Sequence, residues 1–244
     1  MATQITEVYK WEGKWAINID FEKEEYRVSW AGSWRDTPDL TTFPDIADTN
    51  TATRIHHSAQ VHEIWAKSST VCHGSDSHIR LLDPCVQDDD FPVCKVAVNA
   101  CQRRSIQDEF VLLQKLVAQK APVVSVHPDP LVDEDGIFGF RMEQLIKVPV
   151  RTLIQQHADE VQTIMQQIHD AGVVHNDFHP GNVMQRPDKT MIIIDFGRAG
   201  FVGQDIPTGK ELPLWKKPTY AFEADTITFE QFFTERIFTK CLNH

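Results

Sequence analysis

Val173-Val174-His175-Asn176-Asp177-Phe178-His179-Pro180-Gly181-Asn182-Val183, followed by Met191-Ile192-Ile193-Ile194-Asp195-Phe196-Gly197-Arg198, is the stretch on which the fold turns. It sets His175, Asp177 and Asn182 in an H-x-D-x-x-x-x-N frame and then presents Asp195, Phe196 and Gly197. This spacing suits transfer of a phosphoryl group, a reaction that asks for positioning and charge neutralisation more than covalent help. Asp177 can accept or orient the proton of an attacking hydroxyl. The amide oxygen of Asn182 and the carboxylate of Asp195 are hard oxygen donors of the kind magnesium takes.

The flanking residues fit that order. Val161, Ile164, Met165 and Ile168 recur at i, i+3, i+4 and i+7, which paints one apolar face on a helix. Gly172, just after Asp170-Ala171, supplies the left-handed stop. Met191 to Ile194 is an apolar, largely β-branched run that predicts a buried strand with Asp195 at its tip. Helix, loop, strand and loop in this sequence set the residues apart from two aspartates and an asparagine in unrelated turns.

The arrangement resembles the protein-kinase-like superfamily, with its catalytic loop and D-F-G element. The resemblance runs from residue 90 to residue 238 and is strongest from 158 to 200. The wording Asp177-Phe178-His179-Pro180-Gly181-Asn182 is closer to aminoglycoside- and choline-phosphotransferase-like enzymes, and to the atypical kinases associated with coenzyme Q synthesis, than to ordinary protein kinases. It implies an α+β, bilobal protein-kinase-like fold with a mainly β N-lobe and a reduced helical C-lobe. It also implies ATP and Mg2+ as cofactors and a hydroxyl acceptor on a protein or small molecule. In that frame Asp177 is the base or hydroxyl-orienting group, and Asn182 and Asp195 are the metal ligands. Asn176 stands where an arginine commonly reads a phosphorylated activation loop, so that control is not expected. His179 replaces a lysine common near the γ-phosphate; contact with phosphate and shaping of the turn before Pro180 are both open.

The resemblance further implies a third-strand lysine that holds the α- and β-phosphates and pairs with a helix glutamate. Val93-Cys94-Lys95-Val96-Ala97-Val98-Asn99 offers two registers, one with Asn99 in the lysine position and one with Lys95. Lys95 is favoured, because its longer separation from Glu109 leaves room for a short connection and a helical turn. A Lys95 to Glu109 ion pair would then fix the lysine tip. Ser105, with Asp108 three residues on, reads as the N-cap of that helix. Ile106, Phe110, Leu113 and Val117 mark its buried stripe as far as about Lys120. Phe140-Arg141-Met142-Glu143-Gln144-Leu145 resembles the strand entering the interlobe hinge, which implies adenine contacts from the backbone at Glu143 and Leu145 with Met142 lining the pocket.

Three segments are expected: residues 1–53 as an N-terminal β-hairpin extension and linker, 54–145 as the N-lobe, and 146–244 as a short C-lobe. Trp15, Ile17, Ile19 and Phe21 alternate with other residues, as do Tyr26, Val28 and Trp30, which predicts a hairpin whose aromatic face covers a neighbouring sheet. Residues 35–53, rich in Asp, Thr and Pro, read as linker. Arg54 to Lys67 and His78 to Leu82 read as strands. Lys67 to Ser77 then falls where a phosphate-covering loop belongs, although it lacks G-x-G-x-x-G and holds only Gly74. Val123 to Val126 and Ile137 to Leu145 read as further strands, and Arg198 to Tyr220 as a loop in which Thr219 and Tyr220 are conceivable phosphosites. Ala221 to Phe238 reads as helix, and Asp225 matches the buried aspartate that anchors a kinase catalytic loop.

Composition bounds the rest. The chain has 244 residues, 41% of them hydrophobic, enough to bury a core. A net charge of −11 opposes non-specific binding to nucleic acid or anionic lipid. No apolar run approaches a membrane span and the first residues lack signal-peptide character, so a cytoplasmic location is expected. Cys72, Cys85, Cys94, Cys101 and Cys241 are odd in number and include no C-x-x-C, against a disulfide framework and a structural zinc. His56, His57, His62, His73 and His78 raise a metal question, but their spacing favours solvated or hydrogen-bonded roles. The missing glycine loop, the two lysine registers and the short C-lobe leave a second class open, a pseudokinase or scaffold that binds nucleotide or a partner without catalysis. A third is transfer of AMP by the same metal site.

Overall fold

The computed structural model describes residues 3–4, 8–46, 51–73, 77–84, 90–97, 99–208, 210 and 217–233. The chain divides into two compact units, the first formed by Met1–Ile106 with Asp129–Arg141 and the second by Gln107–Pro128 with Met142–His244.

In the first unit the alternating N-terminal residues do form a hairpin. Strands β1 (Thr3–Gln4), β2 (Tyr9–Trp11), β3 (Lys14–Phe21), β4 (Glu24–Trp30) and β5 (Thr51–Arg54) make one sheet in the order β1-β3-β4-β5, with β2 also on β3. The antiparallel register runs from Trp15 opposite Trp30 to Phe21 opposite Glu24. Glu22 and Lys23 at the turn both take positive φ (51° and 65°), as a two-residue hairpin connection requires. Ile17, Ile19, Val28, Trp30 and Phe43 form the buried cluster, against which Tyr26, Leu40 and Ile46 pack. Each such buried side chain contributes about 1.5–3 kcal/mol. The aromatic face is thus covered by the chain's own 40–46 segment, where a neighbouring sheet was expected. The linker is also shorter than its composition suggested, because Thr51–Arg54 pairs with β4.

Arg54 to Lys67, expected as strand, contains helix α1 (Ala59–Ala66). The Ser58 hydroxyl caps it by accepting the Val61 N–H, and Val61 and Trp65, one turn apart, are buried. The cap and this i, i+4 pair outweigh the weak alternation of the segment. Residues 68–73, expected within a loop, form β6 (Ser68–His73); Gly74 lies outside the described residues. With β7 (His78–Leu82), β8 (Val93–Val96), β9 (Leu131–Asp133) and β10 (Gly136–Met142) it builds a second sheet in the order β6-β7-β8-β10-β9. Trp65, Leu82, Cys94, Val96 and Phe138 form its core with Val61. Gly139 has a physical reason: a Cβ there would lie 2.7 Å from the Lys95 carbonyl oxygen.

The polar face of the β3–β4 hairpin carries two carboxylates. Asp20 accepts from Arg80 Nη1 (2.9 Å), Trp65 Nε1 (3.2 Å) and the Thr70 hydroxyl. Glu25, fully buried, accepts from Asn18 Nδ2 (2.9 Å) and lies 2.7 Å from His57 Nε2 and 3.4 Å from His78 Nε2. A hydrogen bond thus accounts for His57, while His78 stands beside the same carboxylate at ion-pair distance.

Helix α2 (Ala100–Ala118) starts six residues earlier than expected. Its cap is Asn99, whose Oδ1 accepts the Gln102 N–H at 3.0 Å, and Ser105 is an interior residue. In the second unit follow β11 (Ile146–Lys147), α3 (Val150–Gln156), α4 (Ala158–Asp170), β12 (Val173–Val174), β13 (Val183–Gln185), β14 (Met191–Ile193), β15 (Gly200–Phe201) and α5 (Phe222–Phe233). Helix α4 buries the expected Val161, Ile164, Met165 and Ile168, and Gly172 takes φ 76° at its end. Strands β11, β13 and β14 form one small sheet, and β12 pairs with β15. The strand expected at 123–126 is reduced to two isolated bridges, Val123 with Ile193 and Val126 with Met142. The strand expected to reach Leu145 stops at Met142, because the Glu143 N–H turns to Ser125 O. Of the terminal helix, the part beyond Phe233 lies outside the described residues. A β-rich first unit and a more helical second unit make the chain α+β, consistent with a kinase-like fold.

Candidate active site

The loop after β12 is held from below by one carboxylate. Asp225 on α5 is fully buried, and its Oδ2 accepts the His175 N–H (2.8 Å) while its Oδ1 accepts the Asn176 N–H (2.7 Å). His169 Nε2, from the last turn of α4, lies 2.9 Å from the same Oδ2, its ring stacked on Phe222. Main-chain N–H groups taken out of water need such partners, so Asp225 fixes the backbone that leads into Asp177. Asn176 adopts φ 59°, a conformation asparagine tolerates better than most residues. Its Nδ2 donates to Lys210 O (2.9 Å) and Arg198 O (3.4 Å), where the resemblance would have an arginine.

The other two candidate residues are laced to the same loop. Asn182 Nδ2 donates to Asp177 O at 2.9 Å, which leaves its amide oxygen as the acceptor atom. The Ile194 N–H donates to Asn182 O at 3.0 Å, continuing the β13–β14 ladder to the residue before Asp195. His175 Nε2 lies 2.9 Å from Ile194 O, so the His175 ring bridges the two loops. Asp195 sits in the left-handed region (φ 64°, ψ 66°), a strained conformation that surrounding contacts must hold. Arg198 Nε stands 3.9 Å from Asp177 Oδ2. Of the two roles left open for His179, shaping the turn is the one visible. Its Nδ1 accepts the Gly181 N–H at 3.0 Å and caps the short 3-10 turn Pro180–Asn182.

Lys95 lies on β8 and is 5% exposed, while Asn99 is outside the strand and engaged as a helix cap. Only Lys95, of the two, is therefore a strand residue. Glu109 was expected on the first turn of its helix; with the start at Ala100 it lies deep within α2 and is 3% exposed. Its Oε1 accepts the Phe196 N–H at 3.0 Å, which ties the helix to the D-F-G element.

Met142 ends β10, and Glu143 and Leu145 follow it in irregular backbone. The Glu143 N–H donates to Ser125 O (3.0 Å) and is therefore engaged within the chain. The Glu143 carboxylate accepts from Ser125 N (2.7 Å), Arg186 Nη2 (2.7 Å) and Arg186 Nε (2.8 Å). Burial pulls the Glu143 carboxyl upward, but the hydrogen bonds from Arg186 and Ser125 outweigh it and hold it below the usual glutamate range. Arg186 is correspondingly raised, chiefly by its bond to Glu143. Sequence reasoning missed Arg186 and His169, whose partners lie 43 and 56 residues away along the chain.

Tyr220 is a poor modification site. It is 3% exposed, burial pushes its hydroxyl up to about 12, and a Cβ at Gly200 would fall 2.2 Å from its ring. Thr219 forms a bridge with Asp205.

Residues 139–202 match the family model APH, described as the phosphotransferase enzyme family. The match runs from within β10 through β15, the stretch that holds Met142, Asp177, Asn182 and Asp195, and it supports the kinase-like resemblance and kinase-like phosphotransfer as the class of chemistry. Phosphotransferases of this kind generally use ATP and Mg2+. No curated protein compared with the chain matches it. Among the described residues no helix is long and apolar enough to cross a membrane.

Proposed function

We propose that the protein is an atypical kinase-like phosphotransferase that moves the γ-phosphate of ATP to a hydroxyl acceptor with the help of Mg2+. The observation that carries this reading is the lacing of Asp177, Asn182 and the residue before Asp195 into one loop–strand–loop unit by the Asn182 Nδ2 and Ile194 N–H bonds. Asp177 orients the acceptor hydroxyl and takes its proton. Asn182 and Asp195 fit a magnesium ion by donor type, one amide oxygen and one carboxylate, with nucleotide phosphate and water completing the shell. Bound there, the ion neutralises charge on the phosphates. Lys95 supplies the cation for the α- and β-phosphates, and Glu109 holds the Phe196 backbone and with it the orientation of Asp195. Met142, the Glu143 carbonyl and Leu145 receive the adenine. Residues 54–145 and 146–244 act as N- and C-lobe with 1–53 as an extension, a small molecule or protein side chain provides the hydroxyl, and the setting is cytoplasmic.

The test is ATP consumption and product mass for the full chain with magnesium, across a panel of hydroxyl acceptors. Asp177→Ala should keep nucleotide affinity and lose at least a hundredfold in turnover, the scale of a lost general base. Turnover unchanged by that substitution contradicts the assignment. Nucleotide binding with no Asp177-dependent consumption favours the non-catalytic scaffold, and a product heavier by AMP favours nucleotidyl transfer.

A further inference from the structure

We propose that Arg186 is a positioning residue that sets the base preference of the candidate nucleotide site. It does so by locking Glu143 so that this residue offers the base a carbonyl acceptor and no N–H donor. The inference rests on the phosphotransferase reading above.

Arg186 follows β13, and its side chain makes four hydrogen bonds. Its Nε and Nη2 grip the two oxygens of the Glu143 carboxylate side-on, at 2.8 and 2.7 Å. The same Nη2 reaches Ser125 Oγ (3.1 Å) and Val123 O (3.2 Å). Ser125 closes the arrangement from the other side: its N–H donates to the Glu143 carboxylate and its carbonyl accepts the Glu143 N–H. Glu143 is thus held through both its side chain and its backbone. A planar guanidinium paired to a carboxylate by two parallel bonds has one geometry, unlike a lysine contact.

This lock has a chemical consequence at the base. Adenine presents an exocyclic amino group, a donor, at the position where guanine presents a keto oxygen, an acceptor. A Glu143 that shows only its carbonyl accepts from the adenine amino group and faces the guanine oxygen with a second acceptor. A buried acceptor–acceptor contact leaves both groups unpaired, which is how sites discriminate strongly. Without Arg186 the carboxylate loses its fork, the Ser125 bonds alone must hold the backbone, and the Glu143 N–H becomes available to turn toward a keto oxygen. Arg186 therefore acts on base choice through Glu143 and touches no nucleotide itself.

The experiment measures affinities of the full chain for fluorescent ADP and GDP with magnesium, alongside heat unfolding. The proteins are the wild type, Arg186→Ala, Arg186→Lys and Glu143→Gln. Wild type should prefer ADP, and Arg186→Ala should narrow the ADP-to-GDP preference about tenfold, mainly by weakening ADP. Arg186→Lys should recover part of the thermal stability and little of the preference, because an ammonium cannot form the fork. Glu143→Gln, which keeps an oxygen for the Ser125 N–H, should fall between wild type and Arg186→Ala. An unchanged ratio in Arg186→Ala and Arg186→Lys, whatever their melting temperatures, overturns the inference alone, as does a wild type indifferent to the base. A wild type that binds neither nucleotide overturns the phosphotransferase reading with it.

Discussion

Each of the two units holds carboxylates in its interior, and they are used in opposite ways. In the second unit Asp225 accepts two main-chain N–H groups from adjacent residues, His175 and Asn176, and so fixes backbone. In the first unit Asp20 and Glu25 accept from side chains drawn from several elements, Arg80, Trp65, Thr70, Asn18 and His57. A carboxylate that pins consecutive backbone groups determines where the next side chain, here Asp177, points. One that gathers side chains determines only that its elements stay packed. The first use shapes the loop that carries Asp177, and the second keeps the elements assembled.

Substitutions at these carboxylates measure the contrast. Asp225→Ala strands two buried N–H groups and the His169 ring, and should cost about 3–5 kcal/mol in denaturant unfolding. Asp20→Ala leaves the buried Arg80 guanidinium with hydroxyl and carbonyl partners only, and should cost about 2–3 kcal/mol by the same measurement. A larger loss at Asp20 than at Asp225 breaks the comparison. Gly200→Ala drives a methyl into the Tyr220 ring beneath β15 and should cost about 1–3 kcal/mol. A neutral Gly200→Ala variant shows that Tyr220 yields and that the second unit is softer than its hydrogen bonds imply.

The smallest effect belongs to the first unit. Arg103 grips Asp133 through two bonds of 2.7 and 2.6 Å and holds its carboxyl down to about 2 from 3.8, against burial and with help from Ser58. A depressed folded-state value means that the stabilisation is complete above 3.8 and is lost as pH falls through about 2. After solvent screening it amounts to about 1 kcal/mol. Asp133→Asn should flatten the acid limb of the stability curve by that amount, and an identical acid limb removes the ion pair from the account.

The same contrast explains what could be read in advance. The α4 stripe, Gly172 and the strand before Asp195 were legible because helix and strand patterns dictate residue types at fixed spacing, and the anchoring role of Asp225 only through the kinase-like resemblance. Ser58, Asn99 and Arg186 were not, since a cap or a clamp is a single polar residue whose partner becomes visible only once the chain has folded. Helix α1 was misread as strand because Val61 and Trp65 give one turn of helical pattern, too little to outvote alternation. Glu109 lies further along its helix than the sequence suggests, since the start of α2 hangs on Asn99 and not on Ser105. The hairpin was legible and its cover was not; Phe43, Leu40 and Ile46 sit in a stretch whose Asp, Thr and Pro content reads as linker.

The central claim is that Asp195, strained at the end of β14, and Asn182, tied to the same loop, hold the magnesium of a bound nucleotide. Titration of ATP into the wild type and Asp195→Ala, with magnesium and with a chelator, tests it most directly. Affinity should fall at least tenfold when magnesium is removed from the wild type, and Asp195→Ala should bind ATP equally weakly in both conditions. Equal affinity in wild type and variant with magnesium present would contradict it.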